Sequence, residues 1–256
     1  MSKKKSVEEI IQWERRFCAL RLEKMCQWDF AHDNGQNPAI TDKAKKYVKN
    51  FEELRKEGAG LFLFGGPGAG KSFTAAQIVN ALTDRGYNCY FTSMTAIIAE
   101  LNTTGFEGRR SFLNQLFERD LLVLDDLGSE METPYCNQIF IQIVNTCLAK
   151  YIPVIVTTPY HQDVLLKDGN NSKRAMAITR LLQRNVAYPV LMPAQRRREE
   201  LQKKRKTEAL VNGGAVAEQQ TLDEFTDAPE ETAVKNCSPE TAEQQELEGF
   251  KNNKGD

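Results

Sequence analysis

The sequence lacks the features of several protein classes. No apolar run approaches the ~18 residues that cross a bilayer, and the start MSKKKSVEEIIQW has no apolar stretch typical of a signal peptide. The six cysteines are scattered singly without a CxxC pair, which argues against a zinc ribbon or a disulfide framework. These absences predict a cytoplasmic protein with reduced thiols and no membrane partner.

Excess charge of one sign is also lacking overall, because the net charge is −1, but its distribution is uneven. Residues 207–256 carry twelve acidic residues and three lysines, a net −9, which leaves +8 for residues 1–206. The run RRREELQKKRK at 196–206 supplies +5 of this. A basic folded part suits a nucleic-acid partner, although a solvated basic helix end explains the run equally well.

Short apolar runs alternate with helical patterns along the middle of the chain. The predicted strands are 61–64, 89–92, 121–126, 153–157 and a last short one at 188–192. The predicted helices are 71–85, 96–101, 110–119, 135–150 and 171–184. Fully apolar strands separated by helices indicate an α/β fold, in which helices flank both faces of a parallel sheet.

The two ends of the chain differ from this core. Residues 7–28 and 42–57 have helical spacing, and DNGQNP at 33–38 has the composition of a turn. Residues 207–256 are rich in Glu, Gln, Thr and Asn with few large apolar side chains, which predicts disorder.

The run GGPGAGKS follows the first predicted strand and precedes a helix. In that context G-x-x-x-x-G-K-S is a phosphate-binding loop, since glycines let backbone N–H groups face the phosphates and the helix amino terminus adds positive potential. We expect Lys71 to reach the β- and γ-phosphates and Ser72 to bind Mg²⁺. The predicted nucleotide-binding residues are Gly65, Gly66, Pro67, Gly68, Ala69, Gly70, Lys71, Ser72 and Phe73.

A second candidate element is LLVLDD at 121–126, a strand that ends in two carboxylates. Buried charges need partners, so adjacent acids at the end of an apolar strand indicate a function. In a parallel sheet this end lies near the phosphate loop. We predict that Asp125 organises the metal with Ser72 and that Asp126 orients water or acts as a base; the alternative is a helix-capping pair.

The choice between adenine and guanine depends on the motif Asn-Lys-x-Asp, which reads guanine. It occurs at 253–256, but there it follows no strand and lies in the predicted disordered tail. We therefore interpret it as chance and predict ATP, with Mg²⁺, as the ligand.

Several ordered segments together resemble the AAA+ ATPases of the DnaC/DnaI helicase-loader group, which also contains the IstB transposition ATPases. The segments are MCQWDFAHDNGQNP (25–38), TSMTAIIAEL (92–101), LLVLDDLGSE (121–130) and RLLQRNVAYPVLMPAQRRR (180–198). The resemblance implies an AAA+ P-loop ATPase that loads a replicative helicase onto single-stranded DNA and assembles head to tail.

The same resemblance implies that Arg180 acts on a neighbouring subunit's ATP as an arginine finger and that Arg184 is a second, sensor-like arginine. The two are spaced i, i+4 and so share one helix face. Their roles could be exchanged, and a pair of ordinary surface arginines is the alternative.

One position departs from the family pattern. Where the family has Thr-Thr-Asn, this chain reads Thr157-Thr158-Pro159. Proline offers no side-chain donor and no N–H, so either threonine hydroxyl would have to replace the amide, and we expect Thr158 to be the catalytic one. Slow hydrolysis, or an ATP-binding adaptor that does not hydrolyse, is a further alternative.

The surfaces for partners are less specific. Phe106, Arg109, Arg110 and Phe112 mix aromatic and basic side chains suited to single-stranded DNA, while an ordinary surface helix explains them too. The predicted division is 1–39, a helical region for helicase docking; 40–195, the ATPase domain; and 196–256, a basic then acidic disordered tail. The amino-terminal helices could instead pack on the chain's own core. An IstB-like transposition ATPase is the other functional reading.

Overall fold

The structure, a computed structural model, describes residues 6–33, 35–166, 172–190 and 202–207. The chain forms two compact units, Met1–Glu200 and Leu201–Asp256. In the second unit the described residues 202–207 are helical. The rest of the predicted disordered tail, and the first part of the basic run, lie outside the described residues.

A five-stranded parallel sheet, ordered β2-β3-β4-β1-β5, forms the centre of the first unit. Its strands are β1 (Leu61–Phe64), β2 (Cys89–Ser93), β3 (Leu121–Asp125), β4 (Val154–Thr158) and β5 (Val186–Pro189). The predicted parallel α/β architecture is confirmed. Because β4 lies between β1 and β3, the carboxyl ends of these three strands lie side by side at one edge of the sheet.

Helices surround this sheet. They are α1 (Val7–Leu20), α2 (Glu23–Cys26), α3 (Pro38–Lys49), α4 (Phe51–Lys56), α5 (Lys71–Asp84), α6 (Met94–Thr103), α7 (Phe106–Leu116), α8 (Pro134–Ala149), α9 (Gln162–Leu165) and α10 (Lys173–Arg184), with a 3-10 turn at Phe30–His32. Within the described ranges, no helix has both the length and the apolarity to cross a membrane.

The two faces of the sheet bury two separate apolar clusters. Leu61 and Leu63 of β1 pack into the cluster that contains α5, α1 and α3, whereas Phe62 packs into the cluster that contains α6, α8 and α10. All three side chains are at most 4% exposed. Since both faces are covered, every position along the strand is apolar, which is why the run was recognisable in the sequence.

The amino-terminal helices pack against α5. Leu20 and Met25 are buried in the cluster that also contains α5. The Asn80 side-chain amide donates to the carbonyl oxygens of Met25 and Trp28, both at 2.8 Å. The amino-terminal helices therefore pack on the chain's own core, while helicase docking by the same region stays a prediction. The boundary at 39/40 stays a prediction about function, because both sides belong to one compact unit.

Several predicted element boundaries are wrong; α7, for example, spans Phe106–Leu116 and not 110–119. Helix α3 begins at Pro38, which the sequence reading placed in a turn; proline fits the first helical position because that N–H has no helical partner. The last strand is Val186–Pro189 rather than 188–192, since it pairs with the whole of β1. Of the predicted segment, residues 191 and 192 lie outside the described residues.

We predict that Asn185→Ala destabilises the sheet. The buried Asn185 side chain accepts from the Gly60 N–H (3.1 Å) and donates to the Val154 carbonyl oxygen (2.8 Å), so its loss leaves the Gly60 N–H without a partner. The free energy of unfolding should fall by about 1–3 kcal/mol, measured by urea denaturation. Asn114→Ala, on the exposed side of α7, is the control and should change it by less than about 0.5 kcal/mol. Equal effects would contradict this account.

Candidate functional site

The glycine-rich loop joins β1 to α5 and runs close to its neighbours. The Gly65 N–H donates to the Thr158 carbonyl oxygen at 3.2 Å, and a Cβ at Gly65 would lie 2.2 Å from the Val190 carbonyl oxygen. Gly70 precedes α5 with φ +98°, and no side chain caps the helix. The first-turn N–H groups of α5 are therefore available to a phosphate, as the motif predicts.

The Lys71 side chain folds back into this loop. Its ammonium group donates to the carbonyl oxygens of Gly65 (2.7 Å) and Gly66 (3.0 Å), and the residue is 8% exposed. Burial lowers the pKa of Lys71 below its usual value, while the charges of Asp126 and Asp125 act in the opposite direction. The ammonium group of Lys71 thus lies near the carboxylates of Asp125 and Asp126, and it can also bind the oxygens of a phosphate.

Asp125 ends β3 and is largely withdrawn from water. Its pKa is raised, mainly by burial; hydrogen bonds from Thr157 and Ser72 and the charge of Lys71 oppose the rise, and Asp126 adds to it. The Thr157 hydroxyl donates to Asp125 Oδ1 at 2.6 Å. The structure thus brings Ser72 and Asp125 together, the two residues predicted to hold Mg²⁺. Hydroxyl and carboxylate oxygens are ligands that this ion prefers.

Asp126 differs from its neighbour in being exposed. It has φ +56°, an uncommon backbone conformation for a residue other than glycine, and its N–H donates to the Thr157 hydroxyl oxygen at 2.9 Å. Strained positions of this kind concentrate at functional sites. Asp126 is exposed and Asp125 is half-buried, so the two adjacent acids have different surroundings, although the charge of Asp126 still acts on Asp125 and on Lys71.

The two threonines of β4 also differ. Thr157 contacts both aspartates, as described above, whereas the Thr158 hydroxyl donates to the Leu127 carbonyl oxygen (2.7 Å) and accepts from the Tyr160 N–H (3.2 Å). Both are fully buried. The catalytic role expected of Thr158 stays a prediction; the geometry favours Thr157, the other residue that the sequence left open. Pro159 follows directly, so no amide side chain extends from that position.

A cavity of about 410 Å³ lies beside the phosphate loop. Gly68, Lys71 and Phe73 line one side, and residues of the segment before the sheet, including Trp28 and Ile40, line the other. The rings of Trp28 and Phe73 are 5.6 Å apart. Mixed aromatic, aliphatic and polar walls beside a phosphate site suit a nucleotide base. From the sequence, residues 1–39 are assigned to helicase docking, and this contribution of Trp28 to the cavity was not predicted.

The two predicted arginines are both on α10 but have different surroundings. Arg180 is exposed, and its guanidinium donates to Asn145 Oδ1 at 3.0 Å. Arg184 is partly buried; it donates to the Leu148 carbonyl oxygen at 2.6 Å and stacks 4.6 Å from the Tyr151 ring. Arg184 thus ties α10 to the end of α8, while Arg180 is more accessible to another molecule.

The candidate DNA surface on α7 also contains both accessible side chains and side chains that are held by contacts within the protein. Phe106 is 85% exposed and Arg110 is exposed. Arg109 donates to the carbonyl oxygens of Leu101 (2.6 Å) and Thr104 at the end of α6, and Phe112 is partly buried against the core. Arg109 and Phe112 therefore have structural roles, which leaves Phe106 and Arg110 as the accessible pair.

Sequence reasoning also missed a buried ion pair between Glu130 and Arg174. The two side chains are 3% and 9% exposed. Glu130 lies at the end of the family-like segment LLVLDDLGSE, but its partner lies on a distant helix, and nothing in the sequence spacing connects them.

Comparison with known proteins identifies a family of ATP-binding proteins, as the phosphate loop predicts. The model of the IstB-like ATP binding protein family matches residues 15–168, more than half of the chain. The chain belongs to this family. The phosphate loop lies within the matched residues, and the family's description as ATP-binding supports nucleotide binding by this chain.

Several curated relatives of this IstB-like protein are replication proteins. The replicative helicase loader DnaI of Bacillus subtilis is 26% identical over 160 residues, covering 59% of this chain and 51% of DnaI. The loader DnaC of Escherichia coli K12 is 31% identical over 137 residues, covering 52% and 54%. This chain thus spans about half the length of these relatives.

A third relative, a putative insertion sequence ATP-binding protein of Sinorhizobium fredii, is 41% identical over 73 residues, which cover 28% of this chain and 24% of that protein. Among solved structures, the DnaC helicase loader crystal structure superposes with a TM-score of 0.51 and 25% identity, covering 59% of this chain and 86% of that one. The predicted AAA+ P-loop fold and the resemblance to the loader group are confirmed.

We predict that Asp125→Asn raises the melting temperature of the nucleotide-free protein. Because the folded-state pKa of Asp125 is raised, its ionised form costs stability, and this cost appears as the pH rises through the ordinary carboxyl range. The difference from the parent should therefore be present at pH 7–8 and shrink towards pH 4, measured by thermal unfolding.

The same variant should lose the stabilisation that Mg–ATP gives the parent, because its amide is a poor metal ligand. Asp42→Asn, at an exposed position on α3, is the control and should keep that stabilisation. A lower melting temperature for Asp125→Asn at every pH would contradict the interpretation.

Proposed function

We propose that this protein is an ATPase that loads a replicative DNA helicase onto single-stranded DNA. The observation that carries the proposal is the convergence, at one edge of the sheet, of the phosphate loop, a half-buried and an exposed carboxylate, and a threonine hydroxyl that binds the Asp125 carboxylate and the Asp126 backbone N–H. The similarity to the loaders DnaI and DnaC supports the choice of helicase as partner.

In this proposal the residues have separate tasks. Lys71 exchanges its two loop carbonyl oxygens for phosphate oxygens, which its ammonium binds more strongly. Ser72 and Asp125 hold Mg²⁺, which neutralises charge on the phosphates. Asp126, being exposed, orients the attacking water, and the Thr157 hydroxyl holds both aspartates in register. Pro159 removes one donor to the γ-phosphate, so turnover is slow.

Arg180 completes the site of a neighbouring subunit in this scheme. Its exposure on α10 allows contact with another molecule, and a cation near the γ-phosphate stabilises charge that develops during transfer. In this scheme the subunits associate head to tail. The face of one subunit that carries Arg180 then meets the face of the next subunit that carries the ATP site. Arg184, held by Leu148 and Tyr151, keeps α10 in place.

Two exposed surfaces suit the partners. Phe106 at the start of α7 can stack on a base, while Arg110 one turn later can contact a phosphate. On α1, Val7, Ile10 and Ile11 are 72%, 44% and 44% exposed. An apolar stripe on an amino-terminal helix, whose other face already packs on α5, suits docking to the helicase.

A transposition ATPase of the IstB type is the second candidate function. The family match and the 41% identity to an insertion sequence protein favour it. It predicts binding to duplex DNA and a transposase instead of single-stranded DNA and a helicase.

A pull-down from the native cell lysate distinguishes the two functions. With Mg–ATP present, the protein should retain the replicative helicase, identified by mass spectrometry, and Ile10→Asp with Ile11→Asp should abolish the retention. The control is Val164→Asp, which changes an apolar side chain, 41% exposed, on α9. Recovery of a transposase instead of the helicase would contradict the loader proposal.

Mixed assemblies test the trans role of Arg180. Arg180→Ala should leave ATP affinity unchanged but lower turnover by up to about 10³-fold, because each subunit keeps its own phosphate loop. Lys71→Ala should lose ATP binding. Mixing the two inactive proteins should restore turnover at interfaces where an intact loop faces an intact arginine.

The matched control is Lys173→Ala, which removes another exposed cation from α10 and should turn over ATP normally. If Arg180→Ala alone hydrolyses ATP at the parent rate, Arg180 is a surface arginine. If no mixture of folded variants recovers turnover, it does not act in trans.

A further inference from the structure

The turn after β3 is held from the side of α10 by the Glu130–Arg174 ion pair. One carboxylate oxygen of Glu130 accepts from the Arg174 guanidinium, and the other accepts from the Gly128 N–H at 2.7 Å. Arg174 also donates to Asn137 Oδ1 at 2.8 Å and lies 4.8 Å from the Phe140 ring. The guanidinium is thus packed and hydrogen-bonded in a fixed orientation between α10 and α8.

The same turn carries Asp126. The Ser129 N–H and hydroxyl both donate to the Asp126 carbonyl oxygen, at 3.2 and 2.7 Å. Leu127 ties the turn to β4, because its N–H donates to the Thr157 carbonyl oxygen (2.8 Å) and its carbonyl oxygen accepts from the Thr158 hydroxyl (2.7 Å). Contacts therefore run without a break from Arg174 through Glu130 and Gly128 to the backbone of Asp126.

Stability alone gives little reason for this pair. Two charges withdrawn from water seldom add net stability over apolar side chains of the same shape, although removing one of them leaves a costly unpaired charge. A guanidinium with three separate contacts does fix the position of what it binds. Arg174 lies on the helix that carries Arg180, about 9 Å away along its axis at 1.5 Å per residue.

We propose that the Glu130–Arg174 pair positions Asp126 and couples it to α10, so that the ATP site of one subunit responds to the engagement of Arg180 with its neighbour. The proposal rests on the function proposed above, in which Asp126 orients water and Arg180 acts in trans. Glu130 and Arg174 are positioning residues, since neither faces the cavity beside the phosphate loop.

The test uses a double variant, Glu130→Gln with Arg174→Met, in the full-length chain with Mg–ATP. Removing both buried charges avoids an unpaired buried one, since Glu132, which lies 3.8 Å from Arg174, is 58% exposed and stays hydrated. The glutamine oxygen can still accept from the Gly128 N–H. The control is Arg55→Gln with Asp120→Asn, which neutralises a more exposed ion pair that joins α4 to the start of β3.

We expect the double variant to keep its ATP affinity and KM within about twofold while kcat falls on the order of 10- to 100-fold, as small displacements of a catalytic group do. Restoring the charge with Arg174→Lys beside the native Glu130 should recover part of kcat. The control pair should match the parent. Parent-like kcat in a folded double variant overturns the positioning role.

Hydrogen exchange tests the coupling without hydrolysis. In the parent, Mg–ATP should change amide protection both at residues 126–130 and in α10; in the double variant the change should persist at 126–130 and disappear in α10. An equal response of α10 in both proteins, or none in the parent, overturns the coupling. A parent that binds ATP without turning it over contradicts the proposed ATPase, while this measurement still decides the coupling.

Discussion

Partial burial of the Asp125 carboxylate is the constraint on which the arrangement of the site depends. A charge partly withdrawn from water needs partners, and here they come from two parts of the chain: Thr157 on the neighbouring strand β4, and Ser72 and Lys71 at the start of α5. These partners can meet only because β1, β4 and β3 run parallel and end at one edge. The order of the strands in the sheet is therefore what brings the residues of the site together.

The neighbouring Asp126 shows how two adjacent acids acquire different properties. A positive φ turns its backbone after the strand ends, and the Thr157 hydroxyl, which donates to Asp125, accepts from the Asp126 N–H. One hydroxyl therefore fixes the half-buried carboxylate of Asp125 and the backbone of the exposed Asp126. The cost of the strained turn is offset by the hydrogen bonds of residues 127–130, which extend to α10 through Arg174.

The region before the sheet has two faces with different consequences. Its inner face is part of the core, where Asn80 binds backbone carbonyls of the 25–28 segment, and Trp28 beside Phe73 borders the cavity at the phosphate loop. Its outer face keeps Val7, Ile10 and Ile11 in solvent. A nucleotide in the cavity would contact Trp28, which follows the helices of this region in the chain.

The sequence by itself determined the α/β class, the phosphate loop and the paired carboxylates, because these depend on local order: apolar runs buried on both faces, glycines that permit close backbone approach, and acids directly after a strand. It also placed Arg180 and Arg184 on one helix face. Only the tertiary structure decided which side chains are free to act. Arg184 is held by Leu148, 36 residues away, Thr157 is directed towards the aspartates, and Glu130 meets Arg174 across 44 residues. Such choices depend on packing between elements far apart in the chain, which periodicity and spacing do not encode.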